Sequence, residues 1–159
     1  MNDEHWMRLA IDEARAAAAL GEVPVGALLV DAQGQVLARA HNRRELDADP
    51  TAHAELLVVK QATGVDKPGL WRLPPATLYV TLEPCIMCMG VLLLARLERL
   101  VYGATDPKAG ATDTLYRLGE DPRLNHQIDS SGGVLATECG ALLSDFFREL
   151  RSRRKATPV

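Results

Sequence analysis

His53-Ala54-Glu55 and Pro84-Cys85-Ile86-Met87-Cys88 are the stretches of this chain whose residue types and spacing suit bond-making chemistry. One imidazole and two thiolates form a donor set for Zn²⁺, a borderline-soft cation. Three protein ligands leave a fourth tetrahedral position for water, as in catalytic sites, whereas structural zinc sites close with four. Cys85 and Cys88 are three apart, so on a helix they share a face and can grip one ion. His53 and Glu55 are two apart, about 200° around a helix. They share a target only where it lies beyond the helix end. That geometry suits one ligand and one non-ligand acting on a common water, with Glu55 as the expected proton shuttle. Cys139, the remaining thiol, reads as a small buried hydrophobe in an amphipathic helix.

Taken singly, these motifs are ordinary. Cys-x-x-Cys also serves as a redox pair or as half of a structural zinc site, and His-x-Glu is common by chance. Their conjunction is not ordinary: Pro84 precedes the first Cys, a strand precedes Pro84, and His-x-Glu lies about one βα unit upstream. This is the H-x-E and P-C-x-x-C signature of zinc deaminases. There, hydroxide attacks an amidine-type carbon and ammonia leaves, while the carboxylate carries a proton to a ring nitrogen and then to the departing amine. A non-catalytic structural-zinc or redox protein is the alternative from another class. It predicts a fourth protein ligand or a reversible Cys85–Cys88 disulfide.

The elements that must hold these residues follow from periodicity. A first helix is expected over Asp3–Leu20, capped by Asn2, with Met7, Ala10, Ile11, Ala14 and Ala18 as its apolar stripe. Val25–Val30 and Gln35–His41 read as a hairpin around Asp31–Gly34. A second helix is expected from Asp49-Pro50. Residues 66–76, with Pro68, Gly69, Pro74 and Pro75, read as a loop. Thr77–Thr81 reads as a buried strand, followed by a helix from Glu83-Pro84 through Leu97. That helix is apolar nearly all round and calls for burial on more than one side, by the core or a second subunit. Both motifs then fall near helix N-termini, whose free N–H groups favour thiolates. A strand at Arg99–Gly103, a loop at 106–110, a short helix over Thr112–Gly119 and a weak strand at Gln127–Ser130 follow. The last helix starts near Leu135, with Leu142, Leu143, Phe146, Phe147 and Leu150 on one face. Strands alternating with helices predict a three-layer α/β/α sandwich on a central mixed sheet, one domain over residues 1–159.

Composition bounds the function. The 159 residues are 47% apolar and 25% charged, as in soluble globular proteins. The longest uncharged apolar run, Cys85–Ala95, is too short for a membrane span. The N-terminus opens with acids and shows no secretory pattern, so a cytoplasmic location is expected. In a reducing compartment the three cysteines are ligands or core residues rather than disulfides. The net charge of −3 argues against a general nucleic-acid binder. Its distribution is uneven, however. Residues 148–155, RELRSRRK, hold five basic residues and one acid, against 13 basic and 20 acidic elsewhere. This run is either a solvated helix end or a surface facing a polyanion.

Further blocks extend the pattern along the chain: Val23-Pro24-Val25-Gly26-Ala27, Asp49-Pro50-Thr51-Ala52-His53-Ala54-Glu55, Leu78–Cys85 with Met87-Cys88, Tyr102-Gly103-Ala104 with Asp106-Pro107-Lys108, Leu124-Asn125-His126, and Leu142–Arg148. With these, the sequence from about Trp6 to Arg151 resembles the bacterial tRNA-specific adenosine deaminases of the cytidine-deaminase-like superfamily. The resemblance implies a homodimer with one Zn²⁺ per subunit, held by His53, Cys85 and Cys88. It implies that Glu55 is catalytic and that the substrate is the wobble adenosine of a tRNA anticodon stem-loop, converted to inosine. It places Asn42 on the purine, Val25 against the base, and backbone N–H groups near Ala54 and Cys85 at the attacked ring. Asp106 and Lys108 would meet the RNA backbone or a ribose, with Phe146, Phe147 and Arg148 beside the anticodon loop. Simpler roles exist for several of these: Asn42 ending a strand, the phenylalanines in a core stripe, Asp106 as a turn residue. A deaminase of a free base or nucleotide would use the same zinc and Glu55. Two positions depart from the family: Asp113 where small residues are usual, implying a segment turned away from phosphate, and His41 where some members carry an aromatic.

Overall fold

The computed structural model describes residues 2–64 and 69–157. The chain runs α1 (Asp3–Ala19), β1 (Gly26–Asp31), β2 (Val36–His41), α2 (Ala54–Ala62), β3 (Ala76–Leu82), α3 (Ile86–Leu94), β4 (Arg99–Ala104), a 3₁₀ turn at Leu118–Glu120, β5 (Asp129–Ser131) and α4 (Ala136–Ala156). Asn2 caps α1 by accepting a hydrogen bond from the Glu4 amide. The Asp31 carboxylate accepts from the amides of Gln33 and Gln35, which folds the β1–β2 turn.

Among the described residues, five strands form one mixed sheet in the order β2-β1-β3-β4-β5. β1 runs antiparallel to β2 and β3, and β3, β4 and β5 are parallel. Strand alternation sorts the core into two layers. Ala27, Leu29, Leu78, Val80 and Leu100 face the side covered by α2 and α3. Leu28, Val30, Tyr79 and Val101 face α1 and α4, together with Cys139. This is the three-layer α/β/α sandwich expected from the alternation of elements.

α1 lies directly on the start of β1. A Cβ on Gly26 would sit 2.1 Å from the Ala10 carbonyl oxygen and 2.5 Å from the Ala14 amide. Backbone cannot yield as a side-chain tip can. Gly26→Ala is therefore expected to destabilise the fold by about 3 kcal/mol, the upper range of overpacking. Urea unfolding would measure it, and a loss below about 0.5 kcal/mol, within surface-substitution scatter, would show that α1 does not pack so closely.

Several expected boundaries move. The second helix starts at Ala54 rather than Asp49-Pro50, because the Asp49 carboxylate is spent on the Thr51 amide and hydroxyl and closes a separate turn. α3 stops at Leu94, not Leu97. Arg96 takes a φ of +63°, and the Leu97 amide bonds back to the Leu92 carbonyl, a left-handed helix stop. The short helical segment expected over Thr112–Gly119 shrinks to the 3₁₀ turn at Leu118–Glu120, since the amides of residues 112–114 are taken by the Glu83 carboxylate. The last strand is shifted by one to two residues, to Asp129–Ser131. In the expected loop over 66–76, residues 66–68 lie outside the described residues, and no strand or helix occupies 69–75. The apolar α3 is buried on one side only: Cys88, Met89, Leu92 and Leu93 enter the core, while Ile86 and Leu94 are 57% and 70% exposed.

Candidate active site

The antiparallel run of β1 brings its start beside the ends of β2 and β3, where the chain enters α2 and α3. The Gly26 amide donates to the Thr81 hydroxyl at 3.1 Å and ties these ends together. His53 is the N-cap residue of α2 and Cys85 that of α3, both in extended conformation. The two motifs, 32 positions apart in sequence, thus meet as helix entrances at one end of the sheet.

His53 Nδ1 lies 3.6 Å from the sulfurs of both Cys85 and Cys88. The donor atoms of these three residues all lie within 4.8 Å of one another. A tetrahedral zinc with nitrogen at about 2.0 Å and sulfur at about 2.3 Å sets N and S about 3.5 Å apart. The group therefore has the dimensions of a coordination shell and is positioned to hold a metal ion. Among the described residues it has three members, the open arrangement rather than the closed four-ligand one.

Electrostatics support the same use. The Cys85 thiol is pulled down to about 4, first by the Cys88 thiol hydrogen-bonded to it and then by His53, against the effect of burial. Cys88 moves up, because it keeps the proton shared with Cys85 and is buried. His53 is raised, chiefly by its contact with Cys85. A divalent cation displaces such shared protons. Glu55, 4% exposed, is raised above its ordinary carboxyl value by burial. A carboxyl shifted toward neutrality can both take and return a proton.

A cleft of about 920 Å³ opens over this group. His53, Ala54, Glu55, Leu82, Glu83 and Cys85 line it. The lining continues with Val23, Val25, Asn42 and Arg44 around the end of β2, with residues 105–109 after β4, and with Leu143, Ser144, Phe147, Arg148 and Arg151 of α4. Of the residues singled out in the sequence, Val25, Asn42, Ala54, Asp106, Lys108 and Arg148 therefore line one cleft with Glu55, His53 and Cys85, while Cys88 lies buried behind it. Phe146 does not line it. Its ring stands edge-on to Phe147 at 5.5 Å, and Phe147 faces the cleft.

Local bonds qualify some of these placements. Asn42 accepts from the Arg44 amide and donates to the Val23 carbonyl and Glu22, which orients its amide group. The Asp106 carboxylate accepts from the amides of Lys108 and Ala109, so it shapes its own turn as well as lining the cleft. Asp113 takes the Tyr102 hydroxyl and is not among the lining residues, as its departure from the family pattern suggested. His41 is likewise absent from the lining and pairs with Glu13 at 2.9 Å. Cys139 is buried against β4, and burial pushes its thiol up to about 11. From the basic run, Arg148 and Arg151 reach the cleft.

Two buried acids escaped the sequence reading. Glu22, 1% exposed, accepts from the Leu46 amide at 2.6 Å and from Asn42. Glu83, 2% exposed, accepts from the loop after β4. The only signal in sequence is an acid beside an apolar segment, Glu22-Val-Pro and Glu83-Pro. A buried carboxylate must be hydrogen-bonded, but sequence does not name its partners.

Comparison with known proteins agrees with this geometry. The MafB19-like deaminase family model matches residues 1–151. The tRNA-specific adenosine deaminase of Bacillus subtilis (strain 168) is 53% identical over 97% of this chain and 94% of its own length. That of Haemophilus influenzae is 44% identical over 96% of this chain and 87% of its own. Among solved structures, one from a study of A-to-I editing by tRNA:A34 deaminases at the wobble position superposes with a TM-score of 0.81 and 45% identity, covering 87% of this chain and 99% of that one. A guanine deaminase from Bacillus subtilis superposes with a TM-score of 0.60 and 27% identity over 72% of this chain and 82% of its own. The fold is cytidine-deaminase-like, and with relatives this similar along nearly its whole length, the chain belongs to the tRNA-specific adenosine deaminases.

Proposed function

We propose that this protein hydrolyses the amino group of adenosine at the wobble position of a tRNA anticodon, giving inosine and ammonia. The observation that carries the reading is Glu55, buried beside the three-donor group and lining a cleft of about 920 Å³, room enough for a base. His53, Cys85 and Cys88 would hold one Zn²⁺, the ion their nitrogen and sulfur donors suit. When bound, zinc supplies a Lewis acid that lowers the pKa of water toward about 7. Glu55 accepts one proton of the attacking water and delivers it to a purine ring nitrogen, where it stays; it then carries the second proton, from the hydroxyl of the adduct, to the leaving amine. Asn42, held by Glu22, Val23 and Arg44, presents its amide to the purine, and Val25 packs against the base. The amides near Ala54 and Cys85 lie at the attacked ring. Arg148, Lys108 and Arg151 set cations around the mouth, where a looped RNA brings its phosphates. Bases in a loop are already unstacked, so extruding one costs less than opening a duplex. The exposed Ile86 and Leu94 on α3 suit a contact between two copies, and a tRNA substrate suits a cytoplasmic enzyme. Residues 1–159 form one deaminase domain in this reading.

The test is inosine formation in an anticodon stem-loop carrying a wobble adenosine. Conversion is expected, with affinity falling as salt rises. An unmodified stem-loop alongside deamination of free guanine would assign the protein to the base deaminases instead.

A further inference from the structure

We propose that Glu83 is a positioning residue: its carboxylate fixes the 106–114 loop, and with it Asp106 and Lys108, at the mouth of the cleft. The inference rests on the deaminase reading above. Glu83 lies between the end of β3 and Pro84-Cys85, and is 2% exposed. Its two oxygens accept five hydrogen bonds, all from this loop. Oε2 accepts from the Asp106 amide at 2.9 Å and the Thr114 hydroxyl at 2.6 Å. Oε1 accepts from the amides of Thr112, Asp113 and Thr114 at 3.2, 2.8 and 3.0 Å. Four backbone N–H groups and one hydroxyl take the place of a cation. A buried carboxylate satisfied in this way holds a loop by both ends, Asp106 at one and residues 112–114 at the other. The loop folds closely onto it, since a Cβ on Gly110 would lie 2.3 Å from Oε2.

Nearby backbone bonds tie the same loop to the entrance of α3. The Ala111 amide donates to the Pro84 carbonyl at 2.9 Å, and the Glu83 amide to the Ala104 carbonyl at 2.8 Å. Glu83 borders the cleft, but both its carboxylate oxygens are spent on the loop, so the carboxylate acts on the substrate through that loop. Its loss displaces the wall that meets the nucleotide's flanking groups and leaves Glu55 in place. The consequence is weaker substrate capture rather than slower proton transfer.

The experiment compares Glu83→Gln and Thr114→Val with the wild-type protein on an anticodon stem-loop, with zinc content and amide hydrogen exchange measured in parallel. Glutamine turns an NH₂ group toward N–H donors. For Glu83→Gln, KM is expected to rise about tenfold or more while kcat falls less than about threefold. Zinc content should match wild type, and the amides of 106 and 112–114 should exchange about tenfold faster. Thr114→Val removes one donor at an exposed position and should raise KM about two- to threefold. A Glu83→Gln protein with unaltered exchange in this loop, or with kcat falling as steeply as KM rises, overturns the assignment. If Glu83→Gln does not fold, Thr114→Val decides: a raised KM supports the anchor and an unmoved one overturns it. A wild-type protein that forms no inosine refutes the deaminase reading separately, and hydrogen exchange still tests the anchor.

Discussion

Glu55→Gln is expected to lower kcat for inosine formation by two to four orders of magnitude, the usual share of a positioned general acid–base. The amide keeps the size and hydrogen-bonding reach of the carboxyl but cannot take a proton. Water activation and delivery to the leaving amine then both lose their carrier. Glu55 is outside the three-donor group, so the variant should keep its metal. It should also keep its fold. Burial raises the carboxyl of Glu55, so the environment already disfavours its charge, and a neutral isostere relieves that cost. The measurement is single-turnover inosine formation, with metal content by elemental analysis and unfolding by heat. Turnover within about tenfold of wild type, below the expected share of an acid–base group, would remove Glu55 from the proton path. Metal loss in the same variant would mean that Glu55 is a ligand.

Parts of this site could be read from sequence for a definite reason. His53, Cys85 and Cys88 announce themselves because few residue types bind zinc, and because helix entrances need residues at fixed offsets. Their meeting at 3.6 Å needed the antiparallel β1, which aligns the ends of β2 and β3. The sandwich was legible because strands alternate with helices along the chain; that Leu28 and Val30 enter one layer and Ala27 and Leu29 the other is visible only in the structure, since all four are apolar. What was hidden depends on side chains competing with the backbone. Asp49 has the composition of a helix cap, yet it closes a turn on Thr51 and delays α2 to Ala54. Thr112–Gly119 has helical composition, yet its amides bond to Glu83, about thirty residues away. Such long-range capture leaves no periodic trace. Phe146 and Phe147 show a different limit: adjacent residues of one type sit about 100° apart on a helix. Only the docking angle of α4 decides that Phe147 meets the cleft.

Cysteine content by itself does not separate ligand from filler, and a paired substitution does. Cys88 and Cys139 are both buried, at 0% and 1% exposure. Cys88 lies 3.6 Å from His53 Nδ1, whereas Cys139 sits against the backbone of Gly103, where a Cβ would come within 2.4 Å of its sulfur. Cys88→Ala leaves two donors where three are needed. Metal content is expected to fall from about one ion per chain to below about a tenth after dialysis against a weak chelator, with turnover beyond detection. Thermal stability should fall with it, since an ion bound only to the folded state stabilises that state by mass action. Cys139→Ala removes a sulfur of equal size from an equally buried place. It should cost about 1 kcal/mol of packing and retain both metal and turnover. The comparison isolates ligation from burial, because the two substitutions delete the same atoms. Equal metal loss in both variants would mean that the ion is released by general loosening of the core. Full metal retention in Cys88→Ala would remove Cys88 from the donor set, and with it the open three-ligand site on which the deaminase chemistry depends.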